Sequence, residues 1–439
     1  MTIAILWLGR TIPLPLDAGD RVYSAQLIGA VARTGARVAF LGLNSPDSSR
    51  SELKGLEPSV QWQIVPGQPR YRVLALMSSL PMVGARFATN QYRQAIACEL
   101  ATNTYDAVVF DQYGLGWALA DVQRLAGNKP VLVHLSHDFE TEVTAEIARN
   151  FTGNGLRKML LRQNARKTRA IEQRLAHGCN LLVALTEHDS AAFFAINPAL
   201  QRIVIPPGYC GPKLRSRTIN KNMPRRAIIV GSFSWTAKQM NLRRFLEAAS
   251  GPFTRHGIEL HVVGLVPKDF RAYLCARFPW IVFCGFVDDL NQELQNARIA
   301  LVPEETGGGF KLKTLDYIFR RVPVAAIESA LNGIPDRLKS QFALAHDLQT
   351  LVSRVIETID DTKRLNDMQN RAYTLAENAF SWEINGRQFV AAIESAATAQ
   401  RGRGPKHSNR SHVSVVRPAE LAADGLQGDS WNGVLRKAF

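Results

Sequence analysis

Residues 299–316 read Ile-Ala-Leu-Val-Pro-Glu-Glu-Thr-Gly-Gly-Gly-Phe-Lys-Leu-Lys-Thr-Leu-Asp. The four apolar residues at the start, followed directly by turn-forming residues, are typical of a short strand that is covered on both faces. A glycine-rich loop follows the strand, and the residues after it have the spacing of a helix. A strand, a loop and a helix in this order form the repeating unit of parallel α/β folds. The segment therefore predicts an α/β protein.

The same unit recurs along most of the chain. In the first half, apolar runs occupy positions 3–8, 37–43, 107–110, 131–135, 181–185 and 202–205. In the second half, they occupy positions 227–230, 260–263, 281–283, 299–302 and 322–326. Segments of helical period separate them, so the pattern predicts two doubly wound, Rossmann-like sheets.

A Pro-Pro-Gly sequence at 206–208 separates the two series and is typical of a linker. We expect an N-terminal domain over 1–207 and a C-terminal domain over 208–380. We also expect a final helix over 381–399 that packs back on the first domain, and a basic, disordered tail over 400–439. Two such domains would enclose a cleft, and ligands of open α/β sheets bind beyond the carboxyl ends of the strands.

The chain of 439 residues has 53 Lys and Arg against 38 Asp and Glu, a net charge of +15. This excess favours anionic partners, which include nucleic acid, anionic lipid and phosphorylated ligands. Charge alone does not choose among them.

Cysteines and apolar segments limit the classes of protein further. The five cysteines lie far apart, without a Cys-x-x-Cys pair or a neighbouring group of histidines, so we expect no disulfide framework and no metal site. A reducing, cytoplasmic location fits this pattern. No run of about 18 apolar residues predicts a membrane-spanning helix, so we expect any membrane contact to be peripheral.

The loop over 303–316 has the composition of a diphosphate site. Its glycines offer free backbone N–H donors, Lys311 and Lys313 bring positive charge, and Asp316 lies about one turn into the helix. Donors and cations suit a diphosphate, and a carboxylate suits ribose hydroxyls. The alternative is a flexible glycine loop with solvated lysines, which leaves the clustering unexplained.

Two other loops follow the first strand of their series. Gly19 and Asp20 precede an amphipathic helix, with Asp20 as the expected N-cap and Gly19 open to an anion. Ser232 and Lys238 follow the strand at 227–230, where small residues permit close approach and the lysine suits a diphosphate. In both loops, a simple strand-to-helix turn is the alternative.

His137 lies where the run at 131–135 gives way to a helix, in the sequence Ser-His-Asp-Phe-Glu. A histidine there could hydrogen-bond a sugar hydroxyl or exchange a proton near neutral pH. Equally, it could be satisfied by Asp138 or by a backbone carbonyl.

Residues 156–174 form a basic amphipathic pattern, with seven Lys and Arg against a single glutamate, Glu172. A helix of this kind can lie on an anionic membrane surface. More often, it is a solvated helix face.

Taken in order, these segments resemble the retaining glycosyltransferases of family four, the large GT-B group that includes many bacterial polysaccharide and lipopolysaccharide transferases. The resemblance covers roughly residues 1–398. Its motifs are Pro-Leu-Asp-Ala-Gly-Asp-Arg at 15–21, Ser-His-Asp-Phe-Glu at 136–140, Ala-Leu-Thr-Glu-His-Asp at 184–189, Val-Ile-Pro-Pro-Gly at 204–208, Val-Gly-Ser-Phe-Ser-Trp at 230–235, Gly-Phe-Val-Asp-Asp at 285–289, Gly-Gly-Phe-Lys-Leu-Lys-Thr-Leu-Asp at 308–316 and Phe-Ser-Trp-Glu at 380–383.

The resemblance implies transfer of a sugar, with retention and without a metal or other cofactor, from a nucleotide diphosphate sugar to a saccharide or lipid-linked acceptor. It further implies a role in cell-surface polysaccharide biosynthesis, peripheral contact with the inner membrane face and no specific nucleic acid partner. Gly19 would face the donor phosphates, His137 the donor sugar, Lys238 and a lysine of the glycine loop the diphosphate, and Asp316 the ribose. The implied donor site comprises Gly19, Ser232, Lys238, Gly309, Phe310, Lys311, Leu312, Lys313 and Asp316, with His137 as the catalytic residue.

The chain departs from the family pattern at three positions. The usual pair of glutamates, eight positions apart, falls on Gly308 and Asp316, which leaves open whether Glu304 or Glu305 steadies the donor sugar. Arg321 stands where a glycine commonly precedes a Pro-Val strand. Two alternative functions also remain at this stage: a nucleotide-sugar epimerase on the same fold, and a non-catalytic protein that binds polyanions.

Overall fold

The computed structural model describes residues 2–402, except for positions 17, 45–52, 54, 71–74, 76–77, 128–129, 288, 307–309 and 378. The predicted tail therefore lies outside the described residues, apart from its first positions, where the final helix continues to Gly402.

Within the described residues, seven parallel strands form a first sheet in the order β3-β2-β1-β4-β5-β6-β7. They are β1 (Ala4–Thr11), β2 (Arg37–Leu43), β3 (Gln61–Val65), β4 (Ala107–Asp111), β5 (Val131–Ser136), β6 (Leu181–Ala184) and β7 (Gln201–Val204). β4 and β5 are buried along their length and β1 over its first six residues, because helices cover both faces.

Six further parallel strands form a second sheet in the order β10-β9-β8-β11-β12-β13. They are β8 (Arg226–Val230), β9 (Glu259–Val263), β10 (Ile281–Gly285), β11 (Ile299–Val302), β12 (Val324–Ile327) and β13 (Ala343–Ala345). The predicted α/β class with two doubly wound sheets is confirmed. The edge strands β3 and β13 were not predicted.

Helices connect the strands in both halves. They are α1 (Gly19–Arg33), α2 (Met82–Phe87), α3 (Asn90–Thr102), α4 (Leu119–Ala126), α5 (Glu140–Asn150), α6 (Gly155–Gly178), α7 (Glu187–Ile196), α8 (Thr236–Arg255), α9 (Lys268–Arg277), α10 (Leu290–Gln295), α11 (Lys313–Phe319), α12 (Asp336–Lys339), α13 (Leu348–Thr358), α14 (Thr362–Ala376) and α15 (Trp382–Gly402), with short 3₁₀ helices at Tyr113–Ala118 and Glu328–Ala330. None of those helices has both the length and the apolar character that a bilayer span requires.

The final helix, α15, crosses to the first sheet and packs against α1. Phe389 stacks on Trp7 of β1 with ring centroids 5.1 Å apart, and Trp382 meets Tyr23 of α1 edge to face at 5.5 Å. Gly208 of the Pro-Pro-Gly segment lies so close to Trp382 that a Cβ atom would come within 2.6 Å of the indole. A larger residue at 208 would displace the tryptophan, so the glycine is needed for this close approach.

Candidate functional site

The six strands of the second sheet follow the same order as the first six of the first sheet. In each sheet, the strands are added on one side of the first strand and then on its other side, so the strand order reverses beside that strand. In the first sheet the reversal lies between β1 and β4, and in the second between β8 and β11. Ligands of doubly wound sheets bind in the crevice beyond the carboxyl ends of strands at this point. The segments after β1, β5, β8 and β11, each a loop together with the first turn of the helix that follows, contain every predicted site residue.

Gly19 begins α1 and faces the second half of the chain. A Cβ atom on Gly19 would lie 3.1 Å from Leu312 Cδ1, so the loop after β1 and the glycine loop after β11 are in contact. The N-cap position falls on Ala18, without a side-chain cap. Our expectation that Asp20 caps the helix is therefore wrong: Asp20 lies in the first turn, and its carboxylate accepts hydrogen bonds from Arg10 at 2.6 Å and Gln112 at 3.3 Å.

His137 is held by a carboxylate that the sequence analysis did not identify. Its Nε2 lies 2.8 Å from Asp111 Oδ1, and the other oxygen of Asp111 accepts a hydrogen bond from Trp7 Nε1 at 2.9 Å. A carboxylate can only accept, so Nε2 carries the proton and donates. Within the part of the chain that the structure describes, Nδ1 of His137 has no hydrogen-bond partner. A neutral ring thus presents Nδ1 as an acceptor.

Gln112, next to Asp111, has a strained backbone. Its φ of 74° and ψ of 157° lie in a region that residues other than glycine rarely adopt. Its backbone N–H donates to Leu135 O at 2.8 Å, and its side-chain amide donates to Asp20. Strain of this kind is found at functional sites, where the surrounding structure maintains it.

The loop from β5 to α5 is fixed by two buried carboxylates. Glu172 of α6 accepts hydrogen bonds from the backbone N–H groups of Glu140 (3.0 Å) and Thr141 (2.8 Å), and from the Thr141 hydroxyl at 2.6 Å. Asp189 accepts from the Phe139 N–H at 3.0 Å. Glu172 belongs to the basic helix, so one role of that helix is to hold the loop that carries His137.

Opposite this loop, Glu304 lies within electrostatic reach of three lysines. Lys313 forms a buried ion pair with Glu304, and the Lys311 and Lys238 ammonium groups contribute with it to a lowered pKa of the Glu304 carboxyl, although burial acts in the opposite direction. Burial lowers the pKa of Lys238, and the charge of Lys313 lowers it further. Lys238 makes no hydrogen bond or ion pair with any described residue. The three cations beside Glu304 give this side of the cleft a local excess of positive charge, and the carboxylates that oppose it, Asp20 and Asp138, belong to the first half.

The two halves also interact electrostatically. Desolvation raises the pKa of the Asp138 carboxyl to about 6, and the Lys311 ammonium of the second half limits the rise. The Asp20 carboxylate of the first half raises the pKa of Lys238 and so limits the lowering that burial causes. The lysine cluster therefore faces the loops after β1 and β5.

The glycine loop is anchored by α8. Asn241 is buried, its side-chain amide donates to Thr306 O at 2.6 Å, and its Oδ1 accepts from the N–H groups of Glu305 (3.2 Å) and Thr306 (3.0 Å). Phe310 is buried against Phe380 and the α-carbon of Gly333. Gly309 lies outside the described residues. Ser232 is half-buried, with Oγ 3.2 Å from Ser234 Oγ.

Asp316 is buried in the first turn of α11, the helix that begins with Lys313. Its Oδ1 accepts a hydrogen bond from the Tyr209 hydroxyl at 3.1 Å and lies 3.3 Å from Arg320 Nε. Burial raises the pKa of Asp316 to about 6, against the opposing effect of Arg320. Glu305, the other candidate carboxylate, is partly exposed and lies 3.8 Å from Arg244 Nη1.

The second sheet lies in a segment that matches a known family. Residues 224–361 match the family model described as Glycosyl transferases group 1. No curated protein sequence matches the chain significantly.

Solved structures share the architecture of almost the whole chain. Anabaena HepE, solved in complex with UDP-glucose, superposes with a TM-score of 0.60 at 16% identity, covering 90% of this chain and 100% of HepE. A mutant of S. aureus TarM, in complex with fondaparinux, alpha-GlcNAc-glycerol and UDP, gives 0.64 at 9% identity, covering 89% and 100%. The α,α-trehalose 6-phosphate synthase of Burkholderia multivorans gives 0.61 at 14% identity, covering 93% and 100%. At such identities the likeness shows the fold alone, which is the GT-B fold of two Rossmann-like domains.

Proposed function

We propose that the chain transfers a sugar from a nucleotide diphosphate sugar to a saccharide or lipid-linked saccharide, with retention of configuration and without a metal. The observation that carries this proposal is the cluster of Lys238, Lys311 and Lys313 around Glu304 at the reversal point of the second sheet. The excess positive charge suits a diphosphate, and Gly19 at the start of α1 adds a helix N-terminus on the opposite side.

The lysines would act most strongly on the leaving group. As the bond from the sugar to the diphosphate breaks, negative charge develops on the diphosphate oxygens, and cations already in place stabilise it without reorganisation. In the proposed reaction, this diphosphate also helps to deprotonate the acceptor hydroxyl on the same face of the sugar, so configuration is retained.

His137 would orient the donor sugar. Because its Nε2 donates to Asp111, Nδ1 can accept a hydrogen bond from a sugar hydroxyl. Asp111 would therefore act as a positioning residue by holding His137. Gln112 would do so by donating a hydrogen bond to Asp20.

The carboxylate nearest to the lysines is Glu304. It is ion-paired with Lys313, its lowered pKa keeps it charged, and its Oε2 has no hydrogen-bond partner within the described residues. Because this oxygen is shielded from solvent, we propose that Glu304 steadies the donor sugar through Lys313, in place of the glutamate that Gly308 replaces. Asp316, with its oxygen engaged by Tyr209 and Arg320, would support the ribose pocket from behind.

The basic helix α6 supports a peripheral contact with the cytoplasmic face of the membrane. Such a contact would suit a lipid-linked acceptor, as used in cell-surface polysaccharide biosynthesis. Leu156 and Met159 are 64% and 57% exposed. They lie three residues apart, hence on one face. Arg157 and Arg162 are exposed in the same part of the helix. Exposed apolar side chains flanked by arginines are the pattern of a helix that lies on an anionic bilayer.

A thermal-shift series with UDP, GDP, ADP, dTDP and their common sugar conjugates tests the donor site. A ligand that binds the folded state raises the apparent melting temperature by mass action. We expect a selective rise with one nucleotide family, which Lys313→Ala abolishes and Lys339→Ala, a change in a lysine of α12, leaves intact. No rise with any nucleotide would contradict the proposal. The anomeric configuration of the product, read by NMR, tests retention.

A further inference from the structure

Three chemically distinct side chains meet at the far edge of the second sheet. His261 comes from β9, Cys284 from β10 and Glu293 from α10, and their ligating atoms all lie within 4.8 Å of one another. His261 Nδ1 is 3.2 Å from Glu293 Oε2 and 3.4 Å from Cys284 Sγ, and Sγ is 3.8 Å from the same Glu293 oxygen. No other group of this kind occurs among the residues that the structure describes.

Cys284 lies at a register shift in β10, on the face that Val282 shares with its pairing partner His261. Phe283 pairs with Val262 and Gly285 with Val263, so two steps of β10 oppose one step of β9 and Cys284 lies in the resulting irregularity. Irregularities of this type re-aim a side chain and often serve a site. Regular pairing of β9 with β10 would contain no such irregularity at Cys284.

A further carboxylate lies on the opposite side of the histidine ring. Glu259 Oε2 is 3.8 Å from His261 Nε2 and accepts a hydrogen bond from Arg226 Nε at 3.1 Å. Without an ion, Nδ1 carries the proton and donates to Glu293, because a carboxylate can only accept. An ion bound by Nδ1 would require the ring proton on Nε2, the nitrogen that faces Glu259.

The three separations match the edges of a metal tetrahedron. With metal–sulfur bonds of about 2.3 Å, metal–nitrogen bonds of about 2.0–2.1 Å and metal–oxygen bonds of about 2.0–2.2 Å, tetrahedral ligand atoms lie about 3.3–3.7 Å apart. The observed separations are 3.2, 3.4 and 3.8 Å. A single ion placed just above this triangle of ligand atoms, on the side of the fourth ligand, therefore needs only small movements of the side chains.

We propose that His261, Cys284 and Glu293 bind one Zn²⁺, with water as the fourth ligand. A mixed sulfur, nitrogen and oxygen set favours zinc over magnesium or calcium, which prefer oxygen alone. The thiolate and the carboxylate together neutralise the charge of the ion, and the thiol proton is released to solvent on binding. His261 is 8% exposed, whereas the other two residues are partly exposed, so a water-bearing position is open towards the Cys284–Glu293 side.

The ion would link the edge strand β10, its neighbour β9 and the helix α10, which only noncovalent contacts hold together otherwise. The ends of β9 and β10 are joined by the Gly264 N–H, which donates to Gly285 O at 2.7 Å, and the Gly231 N–H donates to Val263 O at 3.0 Å. Gly231 precedes Ser232 in the loop of the candidate donor site. Zinc would therefore stiffen the part of the sheet that supports this loop.

Metal binding by the full chain tests the proposal. The protein is stripped with a chelator and titrated with Zn²⁺ against a chromophoric competitor, then with Co²⁺ to detect the thiolate-to-cobalt absorption band. We expect one ion per chain and a band in the parent protein and in Cys275→Ser, which changes an exposed cysteine of the same half. Cys284→Ser should lose the band, and its Zn²⁺ affinity should fall at least about 100-fold, since changes outside the ligand shell alone cost about 10–100-fold. An unchanged affinity in Cys284→Ser, or no stoichiometric binding by the parent, would overturn the site.

Zinc K-edge absorption spectroscopy of the parent protein gives a second test that needs no variant to fold. The proposal requires one sulfur ligand at about 2.3 Å and three nitrogen or oxygen ligands at about 2.0–2.2 Å. A spectrum without a sulfur shell would overturn it and would identify the three residues as a hydrogen-bonded group alone. Neither measurement depends on nucleotide binding, so its outcome is separate from that of the proposed function.

Discussion

Lys238 is held at a position where its charge is disfavoured. It is half-buried beside Lys313, and both burial and this like charge lower its pKa. An ammonium group in such a place gains more from a bound anion than a solvated lysine does, because the anion replaces the solvent that burial removed.

We expect Lys238→Ala to weaken binding of the preferred nucleoside diphosphate about 10–100-fold, which corresponds to the roughly 1.5–3 kcal/mol of a charged hydrogen bond. Lys238→Arg is the matched control, and it should retain most of the affinity because the charge remains. Isothermal titration calorimetry measures both. Equal dissociation constants for the parent and Lys238→Ala would remove Lys238 from the donor site.

The lowered pKa of Lys238 also predicts a pH dependence. The diphosphate binds the protonated lysine, so affinity should be highest below the pKa of Lys238 in the free protein, which lies below the usual 10.5, and should fall as the pH rises through it. Lys238→Arg should abolish this decline, since arginine stays charged. A decline that persists unchanged in Lys238→Arg would assign it to another group.

Asp111 determines which nitrogen of His137 is free. In Asp111→Asn, the amide can donate to Nε2, and the ring then places its proton on Nδ1 and no longer accepts there. We expect kcat to fall by about 10-fold or more with little change in nucleotide affinity, as for other partners that orient a functional histidine. Gln63→Leu, a change at the edge of the sheet, is the control. Loss of nucleotide affinity in Asp111→Asn would indicate a structural role instead.

At the scale of elements, the basic helix α6 has two faces with different tasks. Its buried face carries Glu172, which caps the start of α5, and its exposed face carries Leu156 and Met159. The sequence pattern showed the charges and the amphipathic period, but it did not show that the single glutamate of the segment points inward.

Replacing Glu172 with alanine should destabilise the protein by about 1–3 kcal/mol, because two backbone N–H groups and a hydroxyl lose their acceptor. Chemical denaturation monitored by fluorescence measures the change. Glu394→Ala, at an exposed position of α15, is the control, with an expected change below about 0.5 kcal/mol. A loss as small in Glu172→Ala as in the control would contradict the capping role.

The exposed face of α6 predicts binding to anionic vesicles. Replacing Leu156 and Met159 together with serine should weaken sedimentation with phosphatidylglycerol-containing vesicles about tenfold or more, since burying each side chain contributes roughly 1.5–3 kcal/mol. Leu265→Ser, which changes an equally exposed leucine outside this helix, should have no effect. If both variants bind vesicles as the parent does, the membrane contact does not involve α6.

Arg321 adopts a backbone conformation that glycine usually fills. Its φ is 56°, in the left-handed region. Its guanidinium donates to Leu214 O at 2.8 Å and to Asn370 Oδ1 at 2.7 Å, and it lies 3.9 Å from the ring centroid of Tyr373. These contacts offset the backbone strain, so the departure from the family pattern leaves the turn into β12 intact.

At the scale of the whole molecule, the fold could be predicted because both sheets are buried on two faces. Continuous apolar runs then mark each central strand. The edge strand β3, Gln61-Trp-Gln-Ile-Val65, alternates polar and apolar residues, and β13 has three residues, so neither gives a clear run. The lysines and His137 could be named as candidates from the sequence because each lies in a segment that follows a strand.

The residues that position them were not predictable from the sequence. Asn241 contacts the glycine loop 65 positions away, and Asp111 contacts His137 from the neighbouring strand. His261, Cys284 and Glu293 likewise come together only when β9, β10 and α10 assemble. The sequence contains one indication that Asp111 belongs to the site: it is a carboxylate at the end of a buried apolar strand.

The central claim is acceptor-dependent sugar transfer at the lysine cluster. The measurement is the time course of nucleoside diphosphate release from the nucleotide sugar that gives the largest thermal shift, with and without a panel of saccharide and lipid-linked acceptors. We predict one nucleoside diphosphate released per sugar transferred, only with an acceptor, and strongly reduced release in Lys238→Ala. Conversion of the nucleotide sugar without an acceptor, or release that is unchanged in Lys238→Ala, would contradict the account.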